Sequence, residues 1–261
     1  MKVTAVGTGT NLVTPNRYGS SYLVETDDKK LLLDIGIHSS LRLKELGLTL
    51  ADIDFLIISH RHPDHIGDLI SNLISVHQAG LRGLIPERKA PFEIHGYPGL
   101  KADFDTLMQL FYPDRAITYP LSVHEHGDDE FDLSGVKVMT KLVPHMEQFM
   151  KAIAVRLEAE GQVVMYSGDS GLSENLVELA TNADIAIIEA SFSTKQYAEK
   201  GLVPGHMAPQ EGAQIAAKAG VKKLVFSHLY DGAETDEVIT DSARKLFQGE
   251  IIIAQDKLRL L

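Results

Sequence analysis

Cysteine is absent from this 261-residue chain. That removes disulfides, thiolate zinc sites and thiol nucleophiles from consideration. Positive charge is scarce: 25 Lys and Arg against 36 Asp and Glu leave a formal charge of −11. Such a balance disfavours duplex DNA and long RNA, whose phosphates need Lys and Arg for neutralisation. A small anionic substrate drawn to metal ions stays open. Long apolar runs are missing too, since none approaches the ~20 residues of a membrane-spanning helix. The opening Met1-Lys2-Val3-Thr4-Ala5-Val6-Gly7 is strand-like and has neither the apolar segment nor the cleavage site of a signal peptide. A cytoplasmic location with no membrane partner is expected. Linkers and low-complexity segments are also lacking, so one domain over residues 1–261 is the simplest organisation.

What is present is a succession of short apolar runs. Strands are expected at Lys2–Val6, Ser21–Glu25, Lys30–Asp34 and Phe55–Ile58, with a helix at Ser39–Leu46. A helix over Ile66–Gln78 follows from the apolar face of Leu69, Ile70, Leu73, Ile74 and Val76. Residues 80–130 are less regular, with a strand at Phe92–His95 and a helix at Leu100–Phe111. The second half repeats the alternation. Val136–Leu142, Ala152–Leu157, Gln162–Tyr166, Asp184–Ile188, Lys223–Phe226 and Glu250–Ile253 read as strands, and Leu172–Ala180 and Pro209–Ala219 as helices. Pro209 suits a first helical turn and Gly220 a stop. Meanders that pass into strand–helix alternation, twice over, suggest two packed sheets with helices outside: a four-layer α/β sandwich.

One run stands apart. Ser59-His60-Arg61-His62-Pro63-Asp64-His65-Ile66-Gly67 follows the Phe55–Ile58 strand. Three histidines and an aspartate just past a strand end are hard to explain as packing. Neutral imidazole and carboxylate are ligands for zinc, iron or manganese. The spacing puts His60 and His62 together on a tight loop and turns Asp64 and His65 elsewhere, which suits a second ion. Three more ligand-type residues end strands: His145 after Leu142-Val143-Pro144, Asp169 after Tyr166-Ser167-Gly168, and His228 after Phe226-Ser227. Each alone is an ordinary polar strand exit. Together with the 60–65 run they describe a metal platform on a sheet edge.

The run His60-Arg61-His62-Pro63-Asp64-His65 resembles the H-x-H-x-D-H signature of the metallo-β-lactamase superfamily. That family's other landmarks follow in order as Asp34, His145, Asp169 and His228. The resemblance implies the αββα sandwich and a pair of divalent ions, zinc first, with manganese, iron or nickel accepted according to supply. It implies that His60, His62 and His145 hold one ion, that Asp64, His65 and His228 hold the other, and that Asp169 bridges them. Asp34 would fix the tautomer of a ligand histidine.

Within the superfamily, Pro144-His145, Ala152–Glu158, Tyr166-Ser167-Gly168-Asp169-Ser170, Glu189-Ala190-Ser191-Phe192 and Gly205–Glu211 look like the ribonuclease Z branch of phosphodiesterases. The resemblance then implies a hydrolase working through a metal-bridging hydroxide. Asp64 would orient that hydroxide, and His206 with Glu189 would assist the leaving group. Two departures count against tRNA: only a short hairpin's worth of chain lies between His145 and Asp169, where bacterial tRNA-processing members carry an arm, and Ala208 replaces a Ser or Thr. A small phosphodiester is the expected substrate. A lactone, thioester or sulfate ester on the same centre is the alternative, followed by a di-iron redox protein and a fold that has lost catalysis. A homodimer is the base-rate assembly.

The other histidines point less sharply. His38 reads as a loop residue, His77 as the polar edge of a helix, and His95 as a strand end. His124 and His126 among Glu125, Asp128, Asp129 and Glu130 read as a solvated acidic turn. Gly7-Thr8-Gly9-Thr10 is a weak nucleotide motif, lacking G-x-G-x-x-G and a following Lys-Ser/Thr.

Overall fold

A computed structural model describes residues 1–113, 117–201 and 204–261. Its first half is one sheet of six strands in chain order: β1 (Lys2–Gly7), β2 (Ser21–Glu25), β3 (Lys30–Leu33), β4 (Phe55–Ile58), β5 (Phe92–Gly96) and β6 (Leu121–Glu125). β1–β3 form an antiparallel meander; from β3 onward the neighbours run parallel. Parallel neighbours need crossovers, supplied by α1 (Ser39–Glu45), α2 (Pro63–Ile66), α3 (Leu69–Leu81) and α4 (Leu100–Phe111).

The second sheet has seven strands, again in chain order: β7 (Asp129–Leu133), β8 (Val136–Val143), β9 (Ala152–Ala159), β10 (Gln162–Tyr166), β11 (Ile185–Glu189), β12 (Lys223–Ser227) and β13 (Glu250–Ile253). It too is antiparallel as far as β10 and parallel beyond. Its helices are α5 (Glu174–Ala180), α6 (Thr194–Lys200), α7 (Pro209–Ala219) and α8 (Asp236–Arg244).

The strand period of two sorts side chains into two cores. In β9, Ile153, Val155 and Leu157 face the core shared with the first sheet, while Ala152 and Ala154 face α5 and α7. Ile187 and Ala186 divide the same way in β11, as do Val225 and Phe226 in β12. The sheets meet through Tyr22 and Tyr166, whose rings lie 5.1 Å apart. A backbone bond from Ile153 N–H to the Ser59 carbonyl (3.0 Å) ties β9 to the loop after β4. This is the expected αββα sandwich.

Three expectations change. The helix expected over Ile66–Gln78 is two helices, because Gly67 and Asp68 interrupt it. A Cβ on Gly67 would lie 2.4 Å from the Pro63 carbonyl, and the Asp68 N–H bonds the Ile35 carbonyl instead of continuing the ladder. Residues 124–130 are not a solvated turn alone: β6 and β7 both reach into them, as edge strands of the two sheets. His77 is buried rather than on a polar edge, with Nδ1 3.2 Å from the Thr118 hydroxyl. Of the irregular 80–130 segment, residues 114–116 lie outside the described residues.

Candidate metal centre

Open α/β sheets expose their loops for binding at the carboxyl ends of parallel strands. The loop after β4 carries His60, His62, Asp64 and His65. Asp169 follows β10, Glu189 ends β11, and His228 follows β12. His145 leaves the end of β8, where the chain turns toward β9.

Their side chains gather into two adjoining groups, His60, His62, His145 and Asp169 in one and Asp64, His65 and His228 in the other. Within each group the ligand atoms all lie within 4.8 Å of one another. In the first, His62 Nδ1 stands 3.0 Å from His60 Nε2 and 3.2 Å from His145 Nε2. In the second, His228 Nε2 is 3.1 Å from Asp64 Oδ2. Asp169 reaches both: Oδ2 lies 3.7 Å from His60 Nε2 and 3.9 Å from His145 Nε2, while Oδ1 lies 3.1 Å from His65 Nε2 and 3.3 Å from His228 Nε2. One carboxylate oxygen faces each group.

The tautomers are arranged from outside. Asp34 accepts hydrogen bonds from the Ser59 N–H (2.6 Å), the Ser59 hydroxyl (2.8 Å), the Tyr166 hydroxyl (2.5 Å) and His65 Nδ1–H (2.7 Å). His65 Nε2 is thereby left with its lone pair inward. His145 Nδ1–H donates to the Gly205 carbonyl at 2.7 Å, freeing its Nε2 in the same way. Supporting bonds of this kind orient metal-ligating imidazoles. The Asp64 carbonyl sits against Gly36, where a Cβ would come within 2.0 Å of it, and against Gly19, where the gap would be 2.9 Å. Asp34 and His228 hold φ of 60° and 54°, a left-handed backbone that non-glycine residues rarely adopt.

These residues fit metal ions. Burial and the charge of His65 push the His60 imidazole well below its usual range. Burial opposes charge on His65 also, but Asp169 and Asp34 outweigh it and raise His65 well above that range. Asp169, though buried, is held well below the carboxylate range by His228 and His65. Asp34, Asp64 and Asp169 bring three carboxylates into one buried pocket, and such a set demands positive charge, which divalent ions meet. His65 Nε2 and Asp169 Oδ1 are buried and make no hydrogen bond among the described residues. Tetrahedral ligands ~2.0–2.1 Å from an ion lie about 3.4 Å apart, close to several of the spacings here.

His206 sits beside both groups, its ring 4.9 Å from that of His145 and 6.3 Å from that of His228. Its Nδ1 is 2.8 Å from Glu189 Oε1. Burial works against the charged ring, but Glu189 prevails and the His206 pKa rises to about 9. The Ser191 hydroxyl donates to Glu189 Oε2 at 2.6 Å and lies 3.0 Å from His206 Nδ1. Ser191, Tyr166, Ser59 and Gly205 were not singled out from sequence. A serine, a tyrosine and a glycine next to marked residues carry no signal until the fold shows what they touch. The Gly7–Thr10 stretch has another use, because the Thr8 N–H and hydroxyl bond Asp256 at 3.0 and 2.8 Å. His38 is an exposed loop residue, as expected.

Known proteins share this fold. The "Beta-lactamase superfamily domain" model matches residues 32–229. Ribonuclease Z from Mycobacterium marinum is 28% identical over 244 residues, covering 87% of this chain and 86% of the relative. The metallo-beta-lactamase fold protein YhfI from Bacillus subtilis is 28% identical over 98% of this chain and 97% of its own length. The crystal structure of YhfI superposes with a TM-score of 0.84 at 25% identity, covering 99% of this chain and 98% of that one. Zn(2+)-bound PqqB from Methylobacterium extorquens shares the fold at a TM-score of 0.73, with 16% identity and full coverage of both chains. With its sandwich, its ordered His/Asp set and a family match across three quarters of its length, the chain belongs to the metallo-β-lactamase superfamily, as a metallo-hydrolase similar to ribonuclease Z and YhfI.

Proposed function

We propose that this protein hydrolyses small phosphodiesters with two divalent ions, zinc first. His60, His62 and His145 would hold one, Asp64, His65 and His228 the other, and Asp169 would span them. Such ions, when bound, lower the pKa of a shared water and neutralise charge growing on a phosphoryl group.

The chain's own groups supply the rest. Asp34 keeps the Nδ1 proton on His65. Asp64 turns Oδ2 toward His228 and His65; its second oxygen has no hydrogen-bond partner among the described residues and would orient the attacking water. Breaking a phosphodiester expels an alkoxide that needs a proton. The His206–Glu189 pair carries the reading: a protonated imidazole, held by a buried carboxylate, stands against both metal groups.

A cleft of about 420 Å³ adjoins the His60–His62 loop, lined by Arg61, Tyr97, Asp103, Phe149 and Lys151 among others. Arg61 and Lys151 face Asp103 and Glu147 there, with Arg61 Nη1 3.6 Å from Asp103 Oδ1, so the lining is polar and its charges balance. Ribonuclease Z among the relatives points to a phosphodiester bond. The segment between His145 and Asp169 is the β9–β10 hairpin, turned tightly at Glu160 and Gly161, with a short loop before it. The shortness of that segment and the net charge of −11 both support a substrate smaller than tRNA.

Metal-stripped protein reloaded with zinc should turn over bis-p-nitrophenyl phosphate far faster than lactones or thioesters. Preference for a lactone would sink the phosphodiester assignment. Efficient trimming of a 3′-extended tRNA would sink the restriction to small substrates.

A further inference from the structure

Among the described residues, one more group of ligand-type side chains comes together: Glu93, His95 and His124. It lies away from the metal centre, on β5 and the edge strand β6. Glu93 and His95, two apart on β5, share one face, and His95 is the register partner of His124. Glu93 Oε2 stands 3.4 Å from His95 Nε2 and 3.9 Å from His124 Nε2. Ligands about 2.0–2.1 Å from one tetrahedral ion would be about 3.4 Å apart.

An independent feature singles out His95. The residue is only 4% exposed, and its Nε2 is buried with no hydrogen-bond partner among the described residues. A buried, unmatched polar atom is costly, so it calls for a reason. The neighbours show how the ring is turned. His126 Nδ1–H donates to Asp129 at 2.7 Å, which makes His126 Nε2 an acceptor. That nitrogen lies 3.0 Å from His95 Nδ1, which must then carry the proton. His95 Nε2 keeps a bare lone pair aimed at Glu93. Phe131 of β7 stacks on both rings, 5.1 Å from His95 and 3.9 Å from His126, and holds them in place. A carboxylate–imidazole–imidazole chain ending in a free lone pair is the support that metal-ligating histidines receive elsewhere.

The geometry points to a third cation site, in which Glu93, His95 and His124 bind one zinc-class divalent ion and clasp the free edge of the first sheet. Two imidazole nitrogens and one carboxylate oxygen select zinc and its neighbours over calcium or magnesium, which prefer oxygen. Water would fill the fourth position. Among the described residues the competing bond is the exposed one between Ser122 and His124 Nε2, at 2.9 Å, which water can replace. Through His126 and Asp129 the ion would also brace the β6–β7 turn that joins the two sheets.

The test is zinc content of the full chain, dialysed against buffered free zinc. Wild type should retain three equivalents. His124→Ala, which removes a half-exposed side chain, should retain two, as should Glu93→Gln. A chain carrying His60→Ala and His65→Ala should lose ions at the main centre and still hold the edge ion. His126→Phe keeps the stacking and removes the acceptor, so it should weaken the third site about 10- to 100-fold without abolishing it. The edge ion is read as the difference between wild type and folded His124→Ala: loss of one equivalent is expected, and equal zinc content in the two would overturn the proposal. That difference depends neither on the substrate nor on how many ions the main centre holds.

Discussion

The two sheets furnish the metal centre in different ways. The first contributes four ligand residues from a single loop after β4. The second contributes three, one each from beyond β8, β10 and β12. The loop ligands are neighbours by covalent bonding, so their relative positions depend on a few backbone angles. The strand-end ligands are neighbours only after β8–β12 have paired and packed on the first sheet. The first set therefore stays close to a metal-binding arrangement even in a loosened molecule, whereas the second reports on the whole fold. Asp169, which faces both groups, joins the two kinds of support.

Changing a loop ligand should have the largest effect. His62→Ala removes the nitrogen common to the short spacings in its group, and should lose one ion and cut turnover by more than the ~100-fold typical of an outer partner. Metal analysis alongside steady-state rates checks this; undiminished activity would mean that the loop is not where the ions bind. The second sheet's His206 is next. His206→Ala should leave both ions bound and slow turnover about 10²–10⁴-fold, most for poor leaving groups. Equal slowing for p-nitrophenyl and alkyl esters would remove it as the acid.

The pH profile separates His206 from the metal groups. Glu189 raises its pKa, to about 9, so the acid form is favoured and is lost as pH climbs through the pKa. Rate should fall on the alkaline side. In Glu189→Gln the limb should move to lower pH, because a neutral amide no longer holds the proton on the imidazole. Bound cations lower both limbs together and leave the gap between them. A limb that ignores Glu189 would assign the titration elsewhere. The smallest effect belongs to the outer partner in the first sheet. Asp34→Asn should weaken zinc binding at the His65 site about 10- to 100-fold, readable by chelator competition, with the His60 group less affected.

This difference in support also explains what the sequence disclosed. The 60–65 run is legible because its ligands are contiguous, and the buried strands because their apolar runs are unbroken. His145, Asp169 and His228 became legible only jointly, through their shared strand-end position. The hidden elements lack apolar contrast. α6 buries no residue, α8 buries only Ile239, Ser242 and Ala243, and β6 and β7 are half-exposed edges, β7 carrying Asp129, Glu130 and Asp132. The break at Gly67 was hidden for another reason, since it depends on the distant Ile35 carbonyl. Likewise the roles of Ser191 and Tyr166 are set wholly by tertiary neighbours, and those of His95 and His126 by the packing of β7 on β5.

Gly36 has a lasting consequence. With the Asp64 carbonyl resting where its side chain would begin, even one added methyl group must push the carboxylate away from its partners. Sequence drift is shut off on that wall of the centre. Substrate preference can change more freely on the opposite side, where the Arg61–Lys151 cleft meets solvent and a swapped side chain has somewhere to go.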